Sequence, residues 1–435
     1  MTTAQGVVSW GVLLLGLVGV LFAAGALVAR EGSTTSKLSM WHLGFGLPGS
    51  ELSTLLATIG VVLAAAGWLL GAGERLPGRI GLVLHAVAVL GLLWALWRAR
   101  GTFDVIDAAF RKAWGEDYAT QVAPARRPLL ARKLLPSRWW KPVSYRHPEV
   151  EWRRHIPYAV DAHPQQYLDV MVSAAAAAGP RPVLLNIHGG GWMIGNKGTQ
   201  AMPLLVHMAR RGWLVVDADY RLSPGARMPA HLEDVKRAIA WTRAHAAEYG
   251  GDPRFIAITG GSAGGHLVAL AALTANQPEW QPGFESADTR VQVVVPFYGK
   301  YDMLGEYRPD PRFEEFMTRN LMPGPRGAHE ALWRAMHPST HIDAVDPAQA
   351  PPFLILHGTH DVLIPLAEAR WFVDELRRQY PGEVVYVEIP YAHHGWDVPH
   401  SLRADLTVEA LQRYLELQYA RWCRRSGLEP TPAAA

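Results

Sequence analysis

Over residues 1–100 the hydrophobic positions do not alternate with polar ones; they run together. Val7–Ala29, Leu52–Leu70 and Ile80–Trp97 contain no Asp, Glu, Lys or Arg. Each is close to the roughly 20 apolar residues that a helix needs to cross the hydrocarbon core of a bilayer, where a charge is expensive to bury. The breaks carry turn residues: Glu31-Gly32-Ser33, Pro48-Gly49-Ser50 and Gly73-Glu74-Arg75-Leu76-Pro77-Gly78. The pattern predicts a membrane module of three helices, over about 7–29, 52–70 and 80–97. A signal peptide cleaved near Ala24-Gly25-Ala26 is the alternative for the first run. Against it, Met1–Gly6 carries no Lys or Arg, and two further spans would remain.

From residue 153 the pattern changes to short apolar runs alternating with helical periodicity, which implies a mostly parallel sheet covered on both faces. Strands are expected at Tyr167–Val172, Val183–Ile187, Leu214–Asp219, Phe255–Thr259, Val291–Pro296, Phe353–Leu356 and Val384–Ile389. Helices are expected at Leu232–Tyr249, His266–Thr274, Leu366–Tyr380 and from about Ser401 to Arg424. The helix at Leu366–Tyr380 sets Leu366, Ala369, Val373, Leu376 and Tyr380 on one stripe. Residues 300–345 interrupt the alternation and read as a cap insertion over the carboxyl edge of the sheet. The expected organisation is a membrane module over 1–100, a basic juxtamembrane linker over 101–150, a catalytic domain over 151–425 and a tail over 426–435. Within the linker, Arg126–Lys141 interleaves six cations with Leu129, Leu130, Leu134, Leu135, Trp139 and Trp140. It suits either a bilayer surface or a strap packed on the catalytic domain.

The bulk composition, 49% hydrophobic and 19% charged, averages two unlike halves. A net charge of +3 without a run of like charges gives no footprint for nucleic acid. The single cysteine, Cys423, forms no internal disulfide. Lys and Arg cluster after the third apolar run, at Arg98, Arg100, Arg111 and Lys112, whereas Arg30 and Lys37 nearly cancel Arg75 and Arg79. That asymmetry favours an integral membrane protein with its catalytic domain in the cytoplasm.

Candidate chemistry is concentrated in four places. Gly260-Gly261-Ser262-Ala263-Gly264 matches G-x-S-x-G between a buried strand and an apolar helix, the setting of a nucleophile elbow. His188-Gly189-Gly190-Gly191-Trp192 ends an earlier strand, where glycines let backbone N–H groups approach a developing oxyanion. Gly190, Gly191 and Ala263 are the expected donors, with Gly189 shaping the loop. The remaining two are His357-Gly358-Thr359-His360-Asp361 and His393-His394-Gly395-Trp396, each after a late strand.

Together these motifs resemble the hormone-sensitive-lipase-like branch of α/β-hydrolases, a family of carboxylesterases and lipases, over roughly residues 150–425. Asp219-Tyr220-Arg221-Leu222 and Asp252-Pro253 add to the likeness. Gly261 departs from it, because many members carry an acidic residue there. The resemblance implies an α/β-hydrolase fold with a Ser262, Asp361 and His394 triad. Asp346 and Asp374 compete as the acid, but one precedes its strand and the other lies in a helix. A zinc site drawn from His357, His360, Asp361, His393, His394, Asp397 and His400 is the rival chemistry; it leaves the elbow and the glycine loop unexplained. The implied reaction needs no cofactor and takes a lipophilic ester through an acyl-enzyme to water. Acyl transfer to an acceptor alcohol, or thioester hydrolysis, would use the same triad. A binding protein on a retired hydrolase fold is disfavoured because all three candidates are present.

Overall fold

The computed structural model describes residues 3–28, 37–175 and 178–432. The turn expected at Glu31-Gly32-Ser33, and Arg30 beside it, lie outside the described residues. The N-terminal helices are α1 (Thr3–Leu27), α2 (Lys37–Glu51), α3 (Ser53–Leu69) and α4 (Leu76–Ala99). Among the described residues, two stretches are long and apolar enough to cross a membrane: Ala4–Leu27, and Leu76–Trp114, in which α4 runs on into α5 (Thr102–Trp114). The apolar run at 52–70 becomes α3, one arm of a pair in which α2 and α3 meet at 88°. α2 was not expected, because Pro48-Gly49-Ser50 reads as a turn, whereas the helix runs through it to Glu51.

Small residues draw these helices together. A Cβ on Gly16 of α1 would lie 2.8 Å from the Gly81 carbonyl of α4, and one on Gly91 would lie 2.8 Å from the Ala23 Cβ. The large side chains turn outward, with Val7 71%, Leu14 60% and Leu90 68% exposed. His85 is buried within the bundle.

Among the described residues, eight strands form one sheet in the order β1-β2-β4-β3-β5-β6-β7-β8. They are β1 (Val150–Pro157), β2 (Tyr167–Ser173), β3 (Arg181–Ile187), β4 (Leu214–Ala218), β5 (Gly251–Gly261), β6 (Val293–Phe297), β7 (Phe353–Gly358) and β8 (Val384–Ile389). The first two pairings, β1 with β2 and β2 with β4, are antiparallel; the rest are parallel. The helices between strands are α6 (Met202–Arg210), α7 (Ala230–His245), α8 (Ala263–Leu273), α9 (Pro311–Phe316), α10 (Glu330–Ala335) and α11 (Leu366–Gln379), and α12 (Leu402–Arg425) follows β8. Along β3, Val183, Leu185 and Ile187 join one core and Leu184 the other, so the pleat sorts side chains to two covered faces. The stretch expected as a cap lies between β6 and β7 and folds into α9, α10 and short turns.

Residues 101–150, expected as a linker, are packed on the catalytic half. Phe103, Ile106 and Phe110 of α5 enter the core that holds α12. Of the two readings of Arg126–Lys141, the structure takes the strap. The Arg126 side chain is 1% exposed and donates to both oxygens of Glu416, one bond being 2.7 Å. Trp139 Nε1 donates to Asp405 at 2.9 Å, and the Lys133 N–H donates to Glu409.

Candidate active site

β5 ends at Gly261 and α8 begins at Ala263, which leaves Ser262 alone at the turn with φ 58° and ψ −118°. A non-glycine residue holds that left-handed conformation only when its surroundings over-determine it. Here the Ser262 N–H donates to the Phe297 carbonyl at 2.9 Å, and the Ser262 carbonyl accepts from the His266 N–H. Gly260 and Gly264 have no room for side chains: a Cβ on Gly260 would sit 2.6 Å from the Ile187 carbonyl, and one on Gly264 would strike the same oxygen.

The glycine loop reaches the elbow from β3. A Cβ on Gly189 would lie 2.6 Å from the Gly261 carbonyl and 3.1 Å from the Ser262 Cβ. The Gly189 N–H is already engaged, donating to Gln200 Oε1 at 2.8 Å. Gly190 (φ 115°) and Gly191 (φ 59°) adopt conformations that favour glycine. The Gly190 carbonyl is pinned by the N–H groups of Met193 and Ile194. Behind the loop the Tyr220 hydroxyl donates to the His188 carbonyl at 3.2 Å, and Asp219 accepts from the Lys197 ammonium at 3.1 Å. Asp217 accepts from Asn186 and from the Gly198 N–H, and burial pushes its carboxyl up to about 7.

His394 Nδ1 lies 2.8 Å from Asp361 Oδ2. The other Asp361 oxygen accepts from the N–H groups of Leu363 and Ile364, both at 2.9 Å. Burial alone would raise this carboxyl. His394, then His357 and the backbone donors, overcome it and hold Asp361 below the usual carboxylate range. Asp346 is exposed, and Asp374 sits in α11.

Tyr298 links the two halves of the site. Its ring centroid is 4.5 Å from that of His394, and a Cβ on Gly261 would lie 2.8 Å from its hydroxyl. The tyrosine therefore fills the space that a larger residue at position 261 would need, which accounts for the departure at Gly261. Its hydroxyl donates to the buried Asp397, whose carboxyl burial pushes up to about 6. Gln200 and Tyr298 were not singled out from the sequence, since no local motif surrounds them, and Asp397 was named only within the rival metal set.

The other residues of the rival metal set disperse. His357 Nε2 meets the Ile364 carbonyl at 3.0 Å, His360 meets Thr359, and the His400 ring lies 3.5 Å from Asp405. His393 turns away from its neighbour toward α2, its ring 5.7 Å from that of His42, and burial drives it down to about 3. Among the described residues no group of three or more His, Cys, Asp or Glu is placed to hold a metal ion.

Comparison with known proteins agrees with this architecture. Residues 168–376 match the BD-FAE family. LipM of Mycobacterium tuberculosis, a probable carboxylic ester hydrolase, is 49% identical over 94% of this chain and 92% of its own length. The esterase LipQ of the same organism is 37% identical over 82% and 84%. Among solved structures, a thermophilic esterase from Thermogutta terrifontis is 27% identical, with a TM-score of 0.50 over 65% of this chain and 95% of its own. Esterase B from Lactobacillus rhamnosis, at 20% identity, shares the fold with a TM-score of 0.54 over 75% of this chain and 99% of its own.

Proposed function

The chain belongs to the carboxylic ester hydrolases of α/β-hydrolase fold, and we propose that it is a membrane-anchored serine esterase whose triad is Ser262, His394 and Asp361. The observation that carries the reading is the 2.8 Å contact of His394 Nδ1 with a buried, doubly N–H-bonded Asp361, with Ser262 at φ 58° on the strand-to-helix turn. With Nδ1 engaged by the carboxylate, Nε2 is the nitrogen free to take the Ser262 proton. Ser262 Oγ then attacks the ester carbonyl, and the developing oxyanion is met by the N–H groups of Gly190, Gly191 and Ala263. Gly189 shapes the loop, because its own N–H is spent on Gln200. The imidazolium returns its proton to the departing alcohol, and water attacks the acyl-enzyme by the same route.

Anchoring rests on the apolar runs and on the outward-facing large side chains of α1, α3 and α4. Such a seat suits a lipophilic ester with membrane lipids as surroundings. The test is Ser262→Ala. Activity on a short chromogenic ester and labelling by a fluorophosphonate probe should both disappear, with the melting curve unchanged. Labelling that survives at another serine would sink the assignment.

A further inference from the structure

The loop that carries His394 runs from the end of β8 to the start of α12, and its two ends meet one side chain of the membrane module. Glu51 closes α2 at the 88° bend, and its side chain is 1% exposed. Its Oε1 accepts from Arg403 Nε at 2.8 Å, and its Oε2 accepts from the Ser401 hydroxyl at 2.7 Å. Arg403, equally buried, also donates from Nη1 to the Pro390 carbonyl. One carboxylate thus holds Ser401 directly and Pro390 through the guanidinium, on either side of His394. Ser401 passes the constraint on, since its hydroxyl accepts from the Ala404 N–H and caps α12.

The rest of the interface presses on the same loop. A Cβ on Gly46 of α2 would lie 2.6 Å from the His393 Cε1, so only glycine lets the helix approach. A Cβ on Gly25 of α1 would lie 2.8 Å from the Gly46 nitrogen, which seats α2 against the module. Arg98, at the end of α4, stacks its guanidinium 3.9 Å above the Tyr391 ring.

We propose that Glu51 is a positioning residue of the catalytic histidine, so that the membrane module is a working part of the active site as well as its anchor. The inference rests on the assignment of His394 as the general base. A triad tolerates little looseness: misplacement of about 1 Å can cost about a hundredfold in rate.

The test uses the full chain purified in detergent, assayed on a soluble short-chain ester well below each variant's melting midpoint. Glu51→Gln leaves the Arg403 cation buried without its counter-charge and is expected to lower both stability and kcat. Glu51→Gln/Arg403→Gln removes both charges. It is expected to regain most of the melting temperature while kcat stays about tenfold or more below wild type, with KM within about twofold. Glu51→Asp keeps the charge but withdraws it by one methylene, and should give an intermediate kcat. A double variant that regains kcat together with stability makes the pair merely structural and overturns the proposal. Wild-type kcat in Glu51→Gln or Glu51→Asp overturns it too. His394→Ala, measured beside them, separates the two readings. Turnover retained there removes the premise, whereas turnover lost there but intact in the Glu51 variants removes this inference alone.

Discussion

At Asp361 one carboxylate collects His394 Nδ1, the N–H groups of Leu363 and Ile364, and His357 at 3.4 Å. Its alternatives have no comparable setting: Asp346 is exposed and spends its oxygens on Ala348 and Gln349. Asp361→Asn keeps the shape but donates where it should accept, and so favours the wrong imidazole tautomer. It should lower kcat by about three to four orders of magnitude, and His394→Ala should do the same or worse, because triad members act as one unit. Asp346→Asn should leave kcat within about twofold, as surface changes away from a site usually do. Equal losses at Asp346 and Asp361, measured by steady-state kinetics, would reverse the choice of acid. Ser262 and the glycines were legible because the elbow must be written locally, as a strand, a strained turn and a helix. Tyr298 and Asp397 come from separate loops and meet only in the fold, and Gln200 lies 11 residues beyond the glycine it holds. Nothing local marks Gln200 or Tyr298, and Asp397, although it adjoins the His394 motif, shows its partner only in the fold.

At the level of elements, the strands that were legible are those written as continuous apolar or β-branched runs, whether central, like β3, or at the far edge, like the half-buried β8. β8 occupies Val384–Ile389, as expected, and β3 is fully buried along its length. β1 has no such run, because it lies at the other edge with Glu151, Arg153 and Arg154 exposed. α2 was hidden by the turn signal Pro48-Gly49-Ser50, in which Gly49 serves close packing, since a Cβ there would strike the Phe22 carbonyl of α1. The strap at Arg126–Lys141 shows why interleaved cations and leucines are ambiguous. A guanidinium that finds a buried carboxylate goes inward, and the leucines beside it follow, whereas one that finds none would meet solvent or lipid. Leu130 and Leu134 pack on the α12 core, and Arg126 reaches Glu416 among them. Arg126→Leu leaves Glu416 charged and buried, which should cost about 3–5 kcal/mol of stability. Denaturant titration checks the loss, and activity on short soluble and long bilayer-dissolved esters should fall in parallel. A loss confined to long-chain esters would restore a surface role to the strap.

Across the whole molecule, the contacts say which ends of the helices share a side. Gln5, near the start of α1, donates to Glu74 at 2.8 Å, so the N-terminus and the α3–α4 connection lie together. Arg98 at the end of α4 stacks on Tyr391, and α2 packs on the histidine loop, so those ends lie with the catalytic domain. We propose three crossings between the two sides, by α1, α4 and the α2–α3 pair, whose 88° bend lays α2 across the catalytic end. The far side carries Arg75 and Arg79, while Lys37, Arg98 and Arg100 lie near the span ends on the catalytic side, followed by Arg111 and Lys112. The excess of cations there is the ground on which we propose a cytoplasmic catalytic domain. Cys423 is 1% exposed and makes a poor reporter, so it is best replaced by alanine. In that background Val160→Cys, at a position 93% exposed on the catalytic domain, should react with a membrane-impermeant maleimide only after lysis. Glu74→Cys, at the exposed turn on the opposite side, should react in intact cells. The reverse pattern would place the esterase outside. Labelling of both sites in intact cells would mean that α1, α3 and α4 do not carry the chain across the membrane three times.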